Sequence, residues 1–415
     1  MKYTLNFPEG KLQGRVSLPS SKSISNRLLI IKALSANDFP IEGLSNCDDT
    51  LSLQQGLLST SDVIDTGHAG TSLRFLTAYF AATGKAKTVT GSESIKSRPV
   101  SDLVDALNQL GADVTYLEKT GFPPLRTSGR QLSGNIIEIN GNVSSQFVSA
   151  ILLIAPILPD GLTIRIKGKT VSASYIKMTL ELMQRAGIRS KYEKNVITIA
   201  RQDYVSDGIC VECDRSAASY WYQIAALAND SELLLEGLTE KSMQGDAIIS
   251  QMKRPFGIKT EYTDEGAILT KSRNLCLTLW LDFLDAPDLV QTMAVTCCLN
   301  NTRFCFTGVK TLRVKETDRI AALQNELLKL GYCIRETKPG ILEWRGERAE
   351  PQHSITISTY NDHRMAMAFA PAAIHFPGLQ IENPEVVSKS YPNFWNDLKN
   401  VGVRIVGDKN NYIPV

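Results

Sequence analysis

Leu103-Val-Asp-Ala-Leu-Asn-Gln-Leu110-Gly111-Ala-Asp-Val114 decides the fold. An amphipathic helix stops on a glycine, and an extended segment follows at once. Glycine just past a helix relieves the left-handed conformation required there. The phrase returns at Leu180–Ala186 before Gly187-Ile-Arg-Ser, then at Gly257-Ile-Lys-Thr, Gly331-Tyr-Cys-Ile and Gly402-Val-Arg-Ile. Successive glycines are 76, 70, 74 and 71 residues apart. So regular a period means duplicated supersecondary units.

A second phrase runs in phase with the first. An extended segment ends in small or polar residues and leads into an apolar helix. It occurs at Val16-Ser-Leu-Pro-Ser-Ser-Lys22, Ile64-Asp-Thr-Gly-His-Ala-Gly-Thr71 and Ile137-Glu-Ile-Asn-Gly-Asn-Val-Ser-Ser-Gln146. It recurs at Val211-Glu-Cys-Asp-Arg-Ser-Ala217, Leu281-Asp-Phe-Leu-Asp-Ala-Pro-Asp288 and Ile357-Ser-Thr-Tyr-Asn-Asp-His-Arg364. Ser, Thr and Asp at such junctions suit helix N-caps. The helices behind them, at 147–154, 290–298 and 365–374, are apolar nearly all round, which marks them as buried. Six units of this kind predict an α/β protein of two similar three-unit domains, with the helix N-termini facing a cleft between them. The expected division puts residues 19–212 in one domain, and 1–18 with 213–415 in the other, crossing twice through a hinge.

Composition sets the outer limits. A chain of 415 residues, 43% hydrophobic and 21% charged, is globular and too long for one ordinary core. Its formal net charge of +2 supplies no global field for nucleic acid or membrane, so any anion site is built locally. No run is long enough to span a bilayer; the longest apolar one, 147–158, is broken by Ser149 and Pro156. The first residues lack the pattern of a signal or transit peptide. Cysteines 47, 210, 213, 276, 297, 298, 305 and 333 are scattered and read as reduced packing residues of a cytoplasmic protein. Four histidines without ligand spacing predict no metal.

Within this frame, Leu312-Arg-Val-Lys-Glu-Thr-Asp-Arg319 concentrates charge at the start of an apolar helix expected near Thr317. A basic residue, a carboxylate and an arginine at a helix start can grip a phosphate while moving a proton. Alone, such a cluster is more often a solvated, salt-bridged helix end. Gly168-Lys-Thr170 imitates the end of a kinase phosphate loop, but the leading glycine belongs at 163, which is threonine.

Four stretches in register carry a resemblance: Leu18-Pro-Ser-Ser-Lys-Ser-Ile-Ser-Asn-Arg27, Gly67-His-Ala-Gly-Thr-Ser-Leu-Arg74, Leu312–Arg319 and Tyr360-Asn-Asp-His-Arg-Met-Ala-Met367. Together they resemble the EPSP synthase family of enolpyruvyl transferases, from about residue 10 to residue 400. The resemblance implies six βαβαββ units in two domains. It also implies transfer of the enolpyruvyl group of phosphoenolpyruvate to the 5-hydroxyl of shikimate 3-phosphate, releasing phosphate, with no cofactor. The partners it implies are those two small molecules, not nucleic acid or membrane. A monomer is expected, because six units close their own cores.

Residue by residue, the resemblance assigns Ser23, Arg27, Ser144, Ser145, Ser172, Tyr175, Thr311 and Lys315 to shikimate 3-phosphate. Lys22 and Gln146 touch both substrates, and Gly70, Arg98, Arg319, Arg364 and Lys389 hold phosphoenolpyruvate. Asp288 also meets shikimate 3-phosphate and is assigned the hydroxyl proton, and Glu316 the C3 proton, with Lys22 a rival donor. Read without the resemblance, Asp288 is an N-cap before Val290, Ser144 and Ser145 are caps, and Tyr175 is a core tyrosine. Three positions depart from the family pattern: His68 for Asn, Phe75 for Pro and Thr311 for Asn. The first two flank the phosphoenolpyruvate loop and leave sensitivity to glyphosate open. The sister family acting on UDP-N-acetylglucosamine typically carries a cysteine or aspartate where Glu93 stands. A catalytically inert scaffold binding acidic ligands would gain nothing from Asp288 and Glu316.

Overall fold

The computed structural model describes residues 1–142, 144–273 and 276–408. Val143, within one of the six junctions, and the last seven residues lie outside them. The chain forms two compact units, residues 20–212 and residues 1–19 with 213–415.

In residues 20–212, the helices Lys22–Leu34, Gly70–Ala82 and Ser145–Ile154 pack on one another. Two four-stranded sheets belong to this unit. One orders its strands Val63–Asp65, Thr88–Thr90, Leu125–Thr127, Val114–Tyr116; the other Ile136–Asn140, Leu162–Lys167, Val196–Ile199, Ser190–Glu193. The first two strands of each sheet are parallel and the rest antiparallel. The second sheet closes with a two-residue hairpin, Lys194-Asn195, where both residues have positive φ (47° and 63°). That is the turn whose twist matches paired strands.

The other unit repeats the plan three times. Helices Arg215–Leu227, Val290–Leu299 and His363–Phe369 pack together. All residues of the second and third are buried, as an apolar circumference requires. Strand Thr278–Asp282 runs parallel to Arg303–Thr307, which pairs with the hairpin Arg335–Lys338 and Ile341–Trp344. In the C-terminal sheet, Thr356–Ile357 and Leu379–Glu382 are joined by Arg404–Gly407, and the fourth place is taken by the N-terminal strand Lys2–Asn6. The N-terminal residues thus complete the last unit.

The junction at Val16–Lys22 behaves differently from its local reading. Strand Lys11–Ser17 pairs in parallel with Asp230–Glu236, whereas the helix that follows it, Lys22–Leu34, belongs to residues 20–212. Reciprocally, strand Ile209–Cys210 pairs with Ile41–Glu42, but its chain runs on into Arg215–Leu227. The two units exchange strand and helix at the crossing.

The five phrase-ending glycines, 111, 187, 257, 331 and 402, have φ between 81° and 93°. Any side chain there would be strained. The first four precede the hairpin of their unit, and Gly402 precedes Arg404–Gly407, which pairs with the N-terminal strand instead. The sixth unit has only the two strands Ile41–Glu42 and Ile209–Cys210 among the described residues, and its helix Asp48–Leu58 ends on Ser59 in extended conformation. That is why the sequence holds five such glycines for six units.

Two local expectations shift. The helix after Leu312 begins at Arg319, with Asp318 as its N-cap, because Lys310–Val314 winds as a separate 3-10 turn. None of the eight cysteines is joined in a disulfide, but Cys210 is exposed and is not a packing residue. Among the described residues no helix is long and apolar enough to cross a membrane.

Candidate active site

Residues 20–212 gather cations and helix starts. Lys22 opens its helix and pairs with the buried Asp49, Nζ to Oδ2 at 3.0 Å. One turn on, Arg27 is 2% exposed. Its Nε donates to Thr179 Oγ1 (2.7 Å), Nη2 to Ser149 Oγ (2.9 Å) and Nη1 to the carbonyl of Ser23 (2.8 Å). The guanidinium lies 5.6 Å from the Phe75 ring centroid and 5.8 Å from that of Tyr175. Burial pulls its pKa down to about 10, so it remains charged at neutral pH. Among the described residues no carboxylate forms an ion pair with it. A buried cation surrounded by neutral acceptors favours an anion.

The other predicted members of this set open helices. Ser144 caps Ser145–Ile154, its Oγ accepting from Gln146 N at 3.3 Å, and Ser145 is buried. Gln146 Oε1 is buried and has no hydrogen-bond partner. Ser172 stands before Ala173–Arg185 in the left-handed region, φ 56°. Gly70 starts its helix, and a Cβ built there would lie 2.6 Å from Nη1 of both Arg74 and Arg98. Its bareness therefore admits two guanidinium groups to the backbone, and Arg74 Nη1 donates to Gly70 O at 2.8 Å. Arg98 is accordingly half-buried, not simply exposed. His68 contacts Ser92 Oγ at 2.9 Å, while Phe75 lies against Arg27. These two departures from the family pattern therefore touch different parts of the set.

In the other unit, a network of opposite charges centres on Arg319, which is 1% exposed. Its Nε and Nη2 meet both oxygens of the fully buried Asp362, at 2.6 and 3.2 Å. Nη2 also donates to Glu316 Oε2 (2.8 Å), and Nη1 to Asp288 Oδ1 (3.1 Å). Asp288 Oδ2 in turn pairs with Arg364 Nη2 at 2.9 Å, and Lys315 stands 3.9 Å from Oδ1. Lys389 approaches Glu316 Oε1 at 3.5 Å. One arginine thus holds both candidate proton-transfer carboxylates. Arg319 has its donors occupied by three carboxylates, so a ligand contact requires it to share one.

Burial opposes ionisation of Asp288, but Arg364, Lys315 and Arg319 outweigh it and hold the carboxyl well below its usual range. Burial also works against the charge of Arg319, and Asp362, Glu316 and Asp288 more than restore it. Asp288 sits inside the 3-10 turn Pro287–Leu289, and Leu289 occupies the N-cap position of Val290–Leu299. The capping role expected from position is therefore not the one its geometry gives it. Thr311 lies on the Lys310–Val314 turn, with its hydroxyl buried and without a partner.

Sequence reasoning did not single out Asp49, Ser149, Thr179, Asp246 or Asp362. Asp362 alone left a trace, since Asp two residues before Arg364 is cap-like, and it does cap that helix through Arg364 N at 3.0 Å.

A family model described as EPSP synthase (3-phosphoshikimate 1-carboxyvinyltransferase) matches residues 7–59 and 52–398. A protein of Bacteroides fragilis (strain YCH46) named 3-phosphoshikimate 1-carboxyvinyltransferase is 48% identical over 411 residues, covering 99% of this chain and 100% of the relative. One of the same name from Shewanella pealeana is 35% identical over 432 residues, covering 95% and 98%. The solved EPSP synthase of Acinetobacter baumannii superposes with a TM-score of 0.78 at 21% identity, covering 98% of this chain and all of the other, and so shares the fold. The chain belongs to the EPSP synthase (3-phosphoshikimate 1-carboxyvinyltransferase) family.

Proposed function

We propose that this protein transfers the enolpyruvyl group of phosphoenolpyruvate to the 5-hydroxyl of shikimate 3-phosphate, in the shikimate route to aromatic amino acids. The observation that carries the reading is the pair Asp288 and Glu316, tied to one buried arginine at 3.1 and 2.8 Å, with Lys315, Arg364 and Lys389 beside them. Two carboxylates among cations are what a proton-moving reaction between polyanions needs.

The 5-hydroxyl oxygen attacks C2 of phosphoenolpyruvate and gives its proton to Asp288, while C3 gains a proton from Glu316 and becomes a methyl group. Phosphate then leaves C2 of the tetrahedral intermediate as C3 returns its proton. Asp288, held ionised by its cations, is a weak acceptor until Arg364 and Lys315 turn toward substrate anions. Sharing their field raises its basicity when the hydroxyl arrives. Residues 20–212 serve mainly shikimate 3-phosphate: Ser23, Arg27, Ser144, Ser145, Ser172 and Tyr175 face it, with Asp288, Thr311 and Lys315 from the other unit. Lys22 and Gln146 meet both substrates. Gly70, Arg98, Arg319, Arg364 and Lys389 hold phosphoenolpyruvate. Eight cysteines outside any disulfide suit a reducing, cytoplasmic setting, and the three buried helices packed together in each unit suit a monomer.

Phosphate release from shikimate 3-phosphate plus phosphoenolpyruvate tests the reaction. Release only when both are present, with equimolar enolpyruvyl ether, is expected. Release from phosphoenolpyruvate alone, or with UDP-N-acetylglucosamine in place of shikimate 3-phosphate, overturns the reading.

A further inference from the structure

Behind Arg364 lies a carboxylic acid that the reaction as written does not use. Asp246, in the 3-10 turn Gly245–Ile248, is 4% exposed. Its Oδ2 accepts a short hydrogen bond from Ser216 Oγ, near the start of the Arg215–Leu227 helix. Ser216 Oγ lies 3.4 Å from Arg364 Nη2, the same nitrogen that meets Asp288 at 2.9 Å. Asp246 Oδ1 is buried and has no hydrogen-bond partner, and among the described residues Asp246 forms no ion pair. A buried carboxylate with one oxygen unsatisfied is a costly anion.

Resting on the proposed reaction, we infer that Asp246 is a positioning residue for the anion-binding face of Arg364, acting through the hydroxyl of Ser216. When Asp246 is ionised, Ser216 must donate its proton to it. When Asp246 carries a proton, the acid O–H donates to Ser216 Oγ. The Ser216 hydroxyl hydrogen is then released toward an anion held by Arg364. An anion arriving there also adds negative charge near Asp246, so binding takes up one proton from solvent onto its carboxyl group.

The surroundings favour this exchange near neutrality. Burial first, then Asp288 and Asp214, push the acid up, while Arg364 and the Ser216 hydrogen bond oppose them, leaving its pKa at about 7. Arg215, on the helix packed against this turn, directs its guanidinium to the Thr239 carbonyl. Tyr220, 3.4 Å from Arg364 Nη1, is pushed up to about 12 by burial and stays neutral across this range.

The test is the pH dependence of KM for phosphoenolpyruvate from pH 7 to 9, in the wild type and in Asp246→Asn. The wild-type KM should climb with pH, approaching tenfold per unit, the limit for loss of one proton. The amide of the variant always donates to Ser216, so its profile should be flat and its KM at pH 8.5 lower than that of the wild type. KM for shikimate 3-phosphate should follow neither change. Parallel profiles, or equal effects on both substrates, overturn the inference. If Asp246→Asn does not fold, Ser216→Ala takes its place: only the direct charge coupling remains, so the profile should be shallower than that of the wild type, with a higher KM at pH 7, and a wild-type slope would refute the relay. If the wild type releases no phosphate, the reaction fails but this inference is still read from calorimetry with sulfate, which keeps its charge over the range. Proton uptake with sulfate in the wild type and none in Asp246→Asn upholds it; equal uptake refutes it.

Discussion

Arg319 and Asp362 meet through two hydrogen bonds, 2.6 and 3.2 Å long, and neither side chain is more than 1% exposed. Removing one member of a buried pair costs about 3–5 kcal/mol, because the other is left charged and unsolvated. Asparagine caps a helix as well as aspartate, so Asp362→Asn spares the cap while removing the charge and one of the two acceptors that Arg319 uses. With Glu316 and Asp288 still on Arg319, the loss should fall at the lower end, about 3 kcal/mol. All four tryptophans (221, 280, 344 and 395) lie in the same unit as this pair. Tryptophan fluorescence in urea therefore reads the loss where it occurs. A change below about 0.5 kcal/mol, the usual range for surface substitutions, would mean that the pair contributes nothing net.

Gly70 makes a prediction of a different kind. Alanine suits a helix start, but its Cβ would sit 2.6 Å from the guanidinium ends of Arg74 and Arg98. Both can swing away, so Gly70→Ala should fold normally by circular dichroism while Arg98 is displaced. Phosphoenolpyruvate should weaken by about 1.5–3 kcal/mol, the worth of a hydrogen bond to a charged group. Arg98→Ala should cost about 2–5 kcal/mol, the range for a buried charged contact. Calorimetry of shikimate 3-phosphate is the control. Equal losses for the two substrates would remove Arg98 from the phosphoenolpyruvate set.

Much of this arrangement was legible in the sequence, and the gaps have physical reasons. The five glycines announced their units because a positive φ at a helix end selects glycine almost alone. The all-apolar helices announced burial. Which sheet a strand joins is not a local property, so the exchange of Lys11–Ser17 and Ile209–Cys210 between units was visible only as a hinge. The reduced, two-stranded sheet of the sixth unit left no motif, only the lack of a sixth glycine. Arg319, Glu316 and Asp288 were legible as types, but Asp362 and Asp246 take their meaning from neighbours far along the chain. The hydrogen bonds of Arg27 to Ser149 and Thr179 span 122 and 152 residues, and no spacing announces them.

Lys253 ties stability to pH. It is fully buried, with its ammonium 5.4 Å from the Phe256 ring centroid and bonded to Thr296 Oγ1. Burial draws its pKa down to about 7, with Lys271 adding to the effect and Cys297 opposing it. Between that value and the free-lysine value, the unfolded chain holds a proton that the folded one lacks. Stability should therefore rise with pH over this window, by up to about 1.4 kcal/mol per unit. Lys253→Met removes this dependence, so its stability relative to the wild type should be greatest at pH 6–7 and decline toward pH 10. Urea titrations followed by tryptophan fluorescence check it. A constant difference between the two proteins would show that Lys253 is charged in the folded state throughout.

One substitution can separate the two roles proposed for Asp288. Its carboxylate joins Arg319 and Arg364 at 3.1 and 2.9 Å, and asparagine keeps the shape while removing the charge and the basicity. Because the folded pKa is depressed, the pairing stabilises above the ordinary carboxylate range and is lost as pH falls through the folded value. The stability gap between wild type and Asp288→Asn should therefore be open at pH 7 and narrow progressively below about pH 4, where an unperturbed aspartate begins to hold its proton. Catalysis answers separately, since an amide cannot accept the hydroxyl proton. Loss of a general base typically costs about 10²–10⁴-fold in rate. Asp288→Asn should thus still bind shikimate 3-phosphate in calorimetry, while turnover drops at least about a hundredfold. A variant that loses stability yet keeps most of its turnover would leave Asp288 as a partner for arginines only. The hydroxyl proton would then have to go to Glu316 or Lys22.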